Sequence, residues 1–533
     1  MIGILTRIRR RVRERSRTVI QAFCGEFQRT FGLPITSVGT HRQALEQWKQ
    51  NLRPPQEIKG RVLVTALRNR SWIGVGVYTA CVLRQMGYAT SLLYRQSVID
   101  KHFPNGSSRF GFWPGVVTLP GVDLIDLDAI PVTRAEVLEF EASAQASAPS
   151  VMAYDRHVEE QDIRDGDEAT RRDLGELTEF LMRIGAATSK LLRKANYDNF
   201  VLYSGLIGES SLMLEAANRL GLKSACLEGW SWRHGHMIFN YNAPALDYDI
   251  SAWLRKIQPW TAEKEEEIKS YVNFLDGKYA GGSVWLDDFY LVQRAAIAST
   301  LPPELQRFVE GGEKIFLAAT NVIGDSSMLR RETIFRSQQE WCAALIEFFK
   351  GRPHAKLILR AHPAEIWARS KVRIRIGEYA RKLADGVPNI HVIDASAPLN
   401  SFSLLPFVSA GLVWLSSIGV DMVVRGVPAI AAANPKYTGM GIVSEPATRE
   451  DYFSLLRAWL DAPPRPSEQQ VLMARQYLYI VFKGFSSEAW SRDSFATGIR
   501  LGDPARGPDH DDFYRALLRG PAPVSVSAPL VSE

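Results

Sequence analysis

Four polar stretches in the C-terminal half of the chain join residues that bind phosphate to residues that end strands. Ala361–His362–Pro363–Ala364–Glu365 follows the apolar run Lys356–Arg360. His362 offers a ring N–H to a phosphate or ribose oxygen, or a ring nitrogen to a base, and Pro363 fixes the turn leaving the strand. A histidine satisfied within its own loop fits the position equally. Leu415–Ser416–Ser417–Ile418–Gly419 lies between a strand pattern and a helix pattern. Two hydroxyls and the unpaired N–H groups of a helix start can converge there on a phosphate, although an ordinary N-cap accounts for one serine. In Asn434–Pro435–Lys436–Tyr437–Thr438–Gly439, Lys436 can neutralise a phosphate and Tyr437 can pack on a sugar or base. Gly324–Asp325–Ser326–Ser327 follows another strand pattern, and Asp325 can bind a sugar hydroxyl, orient a neighbour or cap a helix.

The N-terminal half supplies a different set. In Leu227–Glu228–Gly229–Trp230, Glu228 can accept a proton from a sugar hydroxyl if it reaches hydrogen-bond distance. Arg233 can bind a carboxylate or phosphate. His234 and His236 have no third partner in the sequence, so they read as loop hydrogen-bonders and no metal site is expected. Gly205–Leu206–Ile207–Gly208–Glu209–Ser210 is a strand-to-helix loop on which Glu209 can approach donor or acceptor. Neither it nor Gly74–Val75–Gly76 completes a dinucleotide or P-loop fingerprint. Arg68 and Arg70 read as solvated before they read as anion ligands.

Strand–loop–helix alternation positions these residues. The pattern predicts strands at Arg61–Leu67, Thr90–Tyr94, Phe200–Tyr203 and Ser224–Leu227, with helices at Val77–Met86, Arg134–Gln145, Glu176–Lys194 and Ser210–Leu220. Helices Glu263–Leu275 and Asp287–Ala298 lead to a second series. That series has strands Lys314–Ala319, Lys356–Arg360, Ile390–Ile393, Leu412–Leu415 and Ala429–Ala432. Helices are expected at Phe335–Lys350, Glu378–Asp385, Gly419–Arg425 and Arg449–Leu460. The domains expected are a basic helical extension (1–58), an α/β domain on the acceptor side (59–310) and a second α/β domain (311–462). A helical crossover and C-terminal region (463–519) and a flexible tail (520–533) complete the chain. Open parallel sheets bind ligands at the carboxyl ends of their strands, where all the candidate residues lie.

Composition sets bounds on function. The 533 residues, 46% hydrophobic and 23% charged, are enough for two cores. No run approaches eighteen apolar residues and no signal-peptide order opens the sequence, so the expectation is a cytoplasmic protein. Cys24, Cys81, Cys226 and Cys342 are too scattered for a disulfide framework or zinc spacing. Seven arginines lie between Arg7 and Arg17. A basic helix of this kind suits an anionic membrane surface or a solvated arm. Nothing else in the chain reads nucleic acid, which is therefore not an expected partner.

Between Lys314 and Gly441, and more loosely between Ser224 and Asn242, the ordered motifs resemble the bacterial capsule polysaccharide biosynthesis family. That family is similar to glycosyltransferases of the GT-B kind. The matching residues are Asp325, the His362–Pro363 pair, Ser416, Ser417 and Gly419, then Gly426, Pro428 and Tyr437, with Glu228, Gly229 and Arg233 on the first-domain side. The resemblance implies an α/β fold with two Rossmann-like domains in a GT-B-like arrangement, preceded by the basic extension. It implies transfer of a sugar from a nucleotide sugar (CMP-, UDP- or GDP-linked) to a polysaccharide or glycolipid acceptor, with no other cofactor. His362, Ser416, Ser417, Gly419, Lys436 and Tyr437 would hold the donor. Glu228 is the first candidate for the acid/base and Asp325 the second; Arg233 and Glu209 would meet the substrate. The expected location is the cytoplasm, peripheral at the inner face of the bacterial inner membrane. A nucleotide-sugar epimerase or hydrolase, or a non-catalytic sugar-nucleotide binding protein, is the alternative. The chain departs from the family at Arg360–Ala361 before the His-Pro pair, at Asp421, and in its basic extension.

Overall fold

The structure, a computed structural model, describes residues 57–67, 70–102, 119–229, 236–248, 250–275, 301–366, 374–397, 399–481, 487–488 and 508–519. The basic N-terminal segment, the expected helix Asp287–Ala298, Arg68, Arg233, His234 and the C-terminal tail lie outside them.

The first domain is built on β1 (Arg61–Ala66), β2 (Ala89–Tyr94), β3 (Val122–Asp126), β4 (Asn199–Tyr203), β5 (Ser224–Gly229) and β6 (His236–Tyr241). The order β3-β2-β1-β4-β5 is parallel throughout, and β6 joins β5 antiparallel. β1 is apolar along almost its whole length because helices cover both faces of a parallel sheet. One of those helices, Arg70–Gln85, presses onto β1 so closely that a Cβ on Gly76 would stand 2.0 Å from the Thr65 carbonyl oxygen. Gly76 is thus a packing residue, which explains a glycine that completes no nucleotide motif.

The second domain contains β7 (Lys314–Ala319), β8 (Ala355–Arg360), β9 (Ile390–Ile393), β10 (Ala410–Val413) and β11 (Ala429–Ala431), all parallel, in the order β9-β8-β7-β10-β11. Both sheets therefore run outward from their first strand in two directions, and each leaves a crevice at the reversal point: beside β1 and β4 in one, beside β7 and β10 in the other. The chain is an α/β protein with two Rossmann-like domains in a GT-B-like arrangement.

Helix Glu468–Tyr479 packs on helices from both halves: Ile418–Val424 of the second domain and Ala262–Leu275 ahead of it. The chain then returns to the first sheet. The short strand β12 (Ser487–Glu488) pairs with β6, and Phe513, Tyr514, Leu517 and Leu518 of helix Pro508–Arg519 are buried in the first-domain core.

Several boundaries differ from the sequence expectation. The helix expected from Val77 begins at Arg70. The one expected at Arg134–Gln145 is two, Arg134–Leu138 and Glu141–Arg156, and the second runs through Pro149. The long helix starts at Glu168, where Asp167 caps it by accepting from Thr170 N. Strand β3 was missed because an edge strand reading Val-Asp-Leu-Ile-Asp has no continuous apolar run. Among the described residues, no helix is long and apolar enough to cross a membrane.

Candidate functional site

The carboxyl ends of the two sheets face each other, and several contacts join them. Leu206 and Ile207, after β4, pack against Leu329 of the second domain, with Trp72 and Tyr154 alongside. Arg331 pairs with Asp247 at 3.0 Å, and Arg330 Nε donates to Ser150 Oγ at 3.2 Å. Lys436 Nζ donates to the Leu246 carbonyl and lies 3.8 Å from Asp247 Oδ1. Glu159 accepts the backbone N–H groups of Gln338 and Gln339 at the start of helix Gln338–Lys350.

Glu228 is the penultimate residue of β5, opposite Ile238 of β6. Burial pushes its carboxyl up to about 7; the Ser204 hydroxyl and Lys436 oppose the shift and Asp325 adds to it. Glu228 Oε2 is buried without a hydrogen-bond partner, as is Ser204 Oγ. An unsatisfied carboxylate oxygen at a strand end is an acceptor waiting for a proton donor. Asp325 reaches the same region from the second domain. It is exposed, and its Oδ1 accepts from Ser327 N at 2.9 Å, so the capping role and the cleft position coexist.

His362 follows β8. Its Nδ1 accepts from Ala364 N at 3.1 Å, and its backbone N–H donates to Thr320 Oγ1 at 3.2 Å. Burial lowers the imidazole to about 4; Asp325 opposes this and Arg360 adds to it. A neutral ring whose Nδ1 is an acceptor carries its proton on Nε2 and presents one donor. Arg360 itself is an internal cation, donating to the carbonyls of Asp394 and of Leu399, the latter at 3.2 Å.

Ser416 and Ser417 leave β10. Ser417 precedes helix Ile418–Val424 but its hydroxyl makes no capping bond, so an N-cap role does not account for it. Asn321, which sequence reasoning overlooked, accepts from Leu415 N at 3.0 Å and thereby fixes the β10 loop to the β7 loop. Tyr437 is only 1% exposed, and its hydroxyl donates to Ser416 O at 2.7 Å. The ring does not face the cleft; it braces the serine loop from below. Gly419 makes room for it, since a Cβ there would lie 2.6 Å from the Tyr437 hydroxyl. The expectation that the Tyr437 side chain packs on a sugar or base is corrected accordingly: it is a packing residue of the loop that carries the serines, and Gly419 leaves the room it fills.

Lys436 is also more internal than expected. Burial lowers its ammonium to about 7; Arg331 adds to the shift, while Asp247, Glu228 and Asp325 oppose it. It bridges the domains and still shares an electrostatic field with Glu228 and Asp325. Glu209 is corrected as well. It is 7% exposed and its Oε1 holds Arg95 at 2.8 Å, so it is the acid of an internal ion pair and not a substrate ligand. The residues missed from sequence were Ser204, Asp247, Arg331 and Asn321. Each is a single polar residue in a loop, and only the facing of the two sheets gives it meaning.

No family model and no curated protein matches the sequence. Among solved structures, the chain is similar to the KpsC beta Kdo 2,4 transferase of Thermosulfurimonas dismutans, at 15% identity over 60% of this chain and 87% of that one, TM-score 0.34. It is similar to the UDP-GlcNAc 2-epimerase of Neisseria meningitidis bound to UDP-GlcNAc, at 11% identity over 86% and 99%, TM-score 0.26. It is similar to CalG4, the calicheamicin glycosyltransferase, at 12% identity over 86% and 99%, TM-score 0.25.

Proposed function

We propose that this chain is a glycosyltransferase that moves a sugar from a nucleotide-sugar donor to a carbohydrate or glycolipid acceptor. One observation carries the reading: the strand ends of the two domains meet, with Lys436 of the second donating to the Leu246 carbonyl of the first, Arg331 paired with Asp247 at 3.0 Å, and Glu228, Asp325 and His362 at those strand ends and their loops. The donor nucleotide belongs in the second-domain crevice beside β7 and β10, which Asp325 and the two serines flank. There the His362 Nε2–H and the hydroxyls of Ser416 and Ser417 bind phosphate or ribose oxygens, and Lys436 offsets charge on the phosphate. The acceptor approaches from the first domain. Its hydroxyl oxygen forms a bond to the anomeric carbon and gives its proton to Glu228. The bond from that carbon to the phosphate oxygen breaks, and the electron pair leaves with the phosphate. A carboxyl that titrates at about 7 is partly ionised at neutral pH, as a general base must be. Asp325 is the second candidate for this role. The seven arginines near the N-terminus suit a peripheral position on an anionic membrane, where a glycolipid acceptor would be found.

The test is a screen of CMP-, UDP- and GDP-linked sugars, isotopically labelled in the sugar, against glycolipid and oligosaccharide acceptors. Transfer of label to an acceptor, lost in Glu228→Gln with donor binding retained, is the expected result. An epimerised or hydrolysed donor, or binding without turnover, would replace the transferase reading with another.

A further inference from the structure

Ser204 closes β4 with φ at 62°, the left-handed region that residues bearing a Cβ avoid. Backbone hydrogen bonds hold it there. Its N–H donates to Leu227 O at 2.7 Å, and its carbonyl accepts from Ala245 N at 2.8 Å. The side chain is 1% exposed, and its hydroxyl lies close enough to Glu228 to hold that carboxyl down, although the two fall short of full hydrogen-bond geometry. The β4–β5 register ends with Tyr203 opposite Leu227, so Ser204 and Glu228 are the residues that follow that last pair. The result is a strained residue that puts a buried hydroxyl beside a buried carboxyl whose Oε2 has no completed hydrogen bond. Strain of this kind persists only where the surroundings impose it, and it concentrates at functional sites.

We propose that Ser204 is a positioning residue for Glu228: its hydroxyl donates to the ionised carboxylate and fixes one oxygen, leaving the other to receive the acceptor's proton. The inference rests on the reading of Glu228 as general base. The pair is asymmetric by design. A protonated Glu228 has less need of the donor, whereas an ionised one buried at a strand end must be hydrogen-bonded to persist. Other groups face Glu228 from the same sheet and across the cleft. Tyr203 and Cys226 beside it are themselves pushed well above their usual range, first by burial and then by the Glu228 charge. Asp325 and Lys436 act on it from the second domain with opposite signs. None of these four follows the last β4–β5 pair as Ser204 does.

Ser204→Gly is the informative variant, because glycine takes a positive φ without strain while the hydroxyl is deleted. The ionisation of Glu228 is read on the full, substrate-free chain by difference infrared titration of the protonated carboxyl band, with the Glu228→Gln spectrum subtracted. The expected result is an upward move of the midpoint by about one pH unit, with a melting temperature no lower than that of the parent. Ser204→Ala, which keeps the strained backbone, should show the same move if it folds. An unchanged midpoint in a folded variant overturns the proposal. In the transfer reaction, Ser204→Gly should lower kcat and move the acidic limb of its pH profile upward while leaving the donor KM in place. A shifted midpoint with no transferase activity in the parent would uphold the Ser204–Glu228 relation and reject the functional reading, so the two fail separately.

Discussion

The Glu159 carboxylate of the first domain accepts the backbone N–H of Gln338, in the second, at 2.5 Å. A helix start favours an ionised partner, yet burial wins here: Glu159 is pushed up to about 7, with Gln338 and Gln339 only partly offsetting the loss of water.

This gives a prediction of sign. Glu159 holds its proton more tightly folded than unfolded. Its contribution to stability is complete below its ordinary value of 4.5 and is lost as pH rises through about 7. The loss is on the order of 3 kcal/mol. Glu159→Gln should flatten the dependence of melting temperature on pH between about 5 and 8, with the largest gain over the parent at the alkaline end. A parallel pH dependence in variant and parent would refute it.

Tyr437 and Gly419 form a coupled pair beneath the serine loop. Tyr437→Phe removes one buried hydrogen bond and should cost about 1 kcal/mol in denaturant unfolding. Gly419→Ala drives a methyl into the hydroxyl and should cost about 1–3 kcal/mol. In the double variant the clash is relieved, so the combined cost should be smaller than the sum. Both should weaken donor binding more than distant substitutions of equal stability cost, as measured by calorimetric titration.

His362 enters binding as a neutral donor. Since its imidazole stays unprotonated above about 4, donor affinity should show no histidine limb at neutral pH. His362→Ala should weaken donor binding about tenfold, the worth of one good hydrogen bond, without lowering the melting temperature by a comparable amount. Equal affinity in a folded variant would remove His362 from the site.

Deleting residues 1–20 removes the seven arginines. Binding to vesicles containing anionic lipid should fall, at about 1 kcal/mol per arginine that reaches the surface, while donor binding in solution is retained. Equal sedimentation with vesicles would dismiss the membrane role.

The sequence was readable where a residue's role depends on its own strand. Continuous apolar runs marked β7 and β8, and the turn that Pro363 imposes marked the end of β8. The roles that depended on a partner far along the chain were not readable. Tyr437 looked like a ligand residue because its spacing gives no sign that Gly419 vacates a slot for it. Glu209 looked available because Arg95, which pairs with it, lies 114 positions away. Ser204 carried no sign at all, since its backbone is held by Leu227 and Ala245, both more than twenty positions away.

The chain's return path has a consequence for how the protein is made. Tyr241 donates its hydroxyl to the Ala516 carbonyl, 275 positions later, and Phe239 meets Phe513 edge-on at 5.4 Å. The first of the two domains is therefore finished by a segment made only after the second. Until then the outer edge of β6 lies unpaired and a patch of apolar surface stays uncovered. A nascent chain stalled at the end of the second domain would expose both, so removing helix Pro508–Arg519 should damage the domain that precedes the second one in the chain.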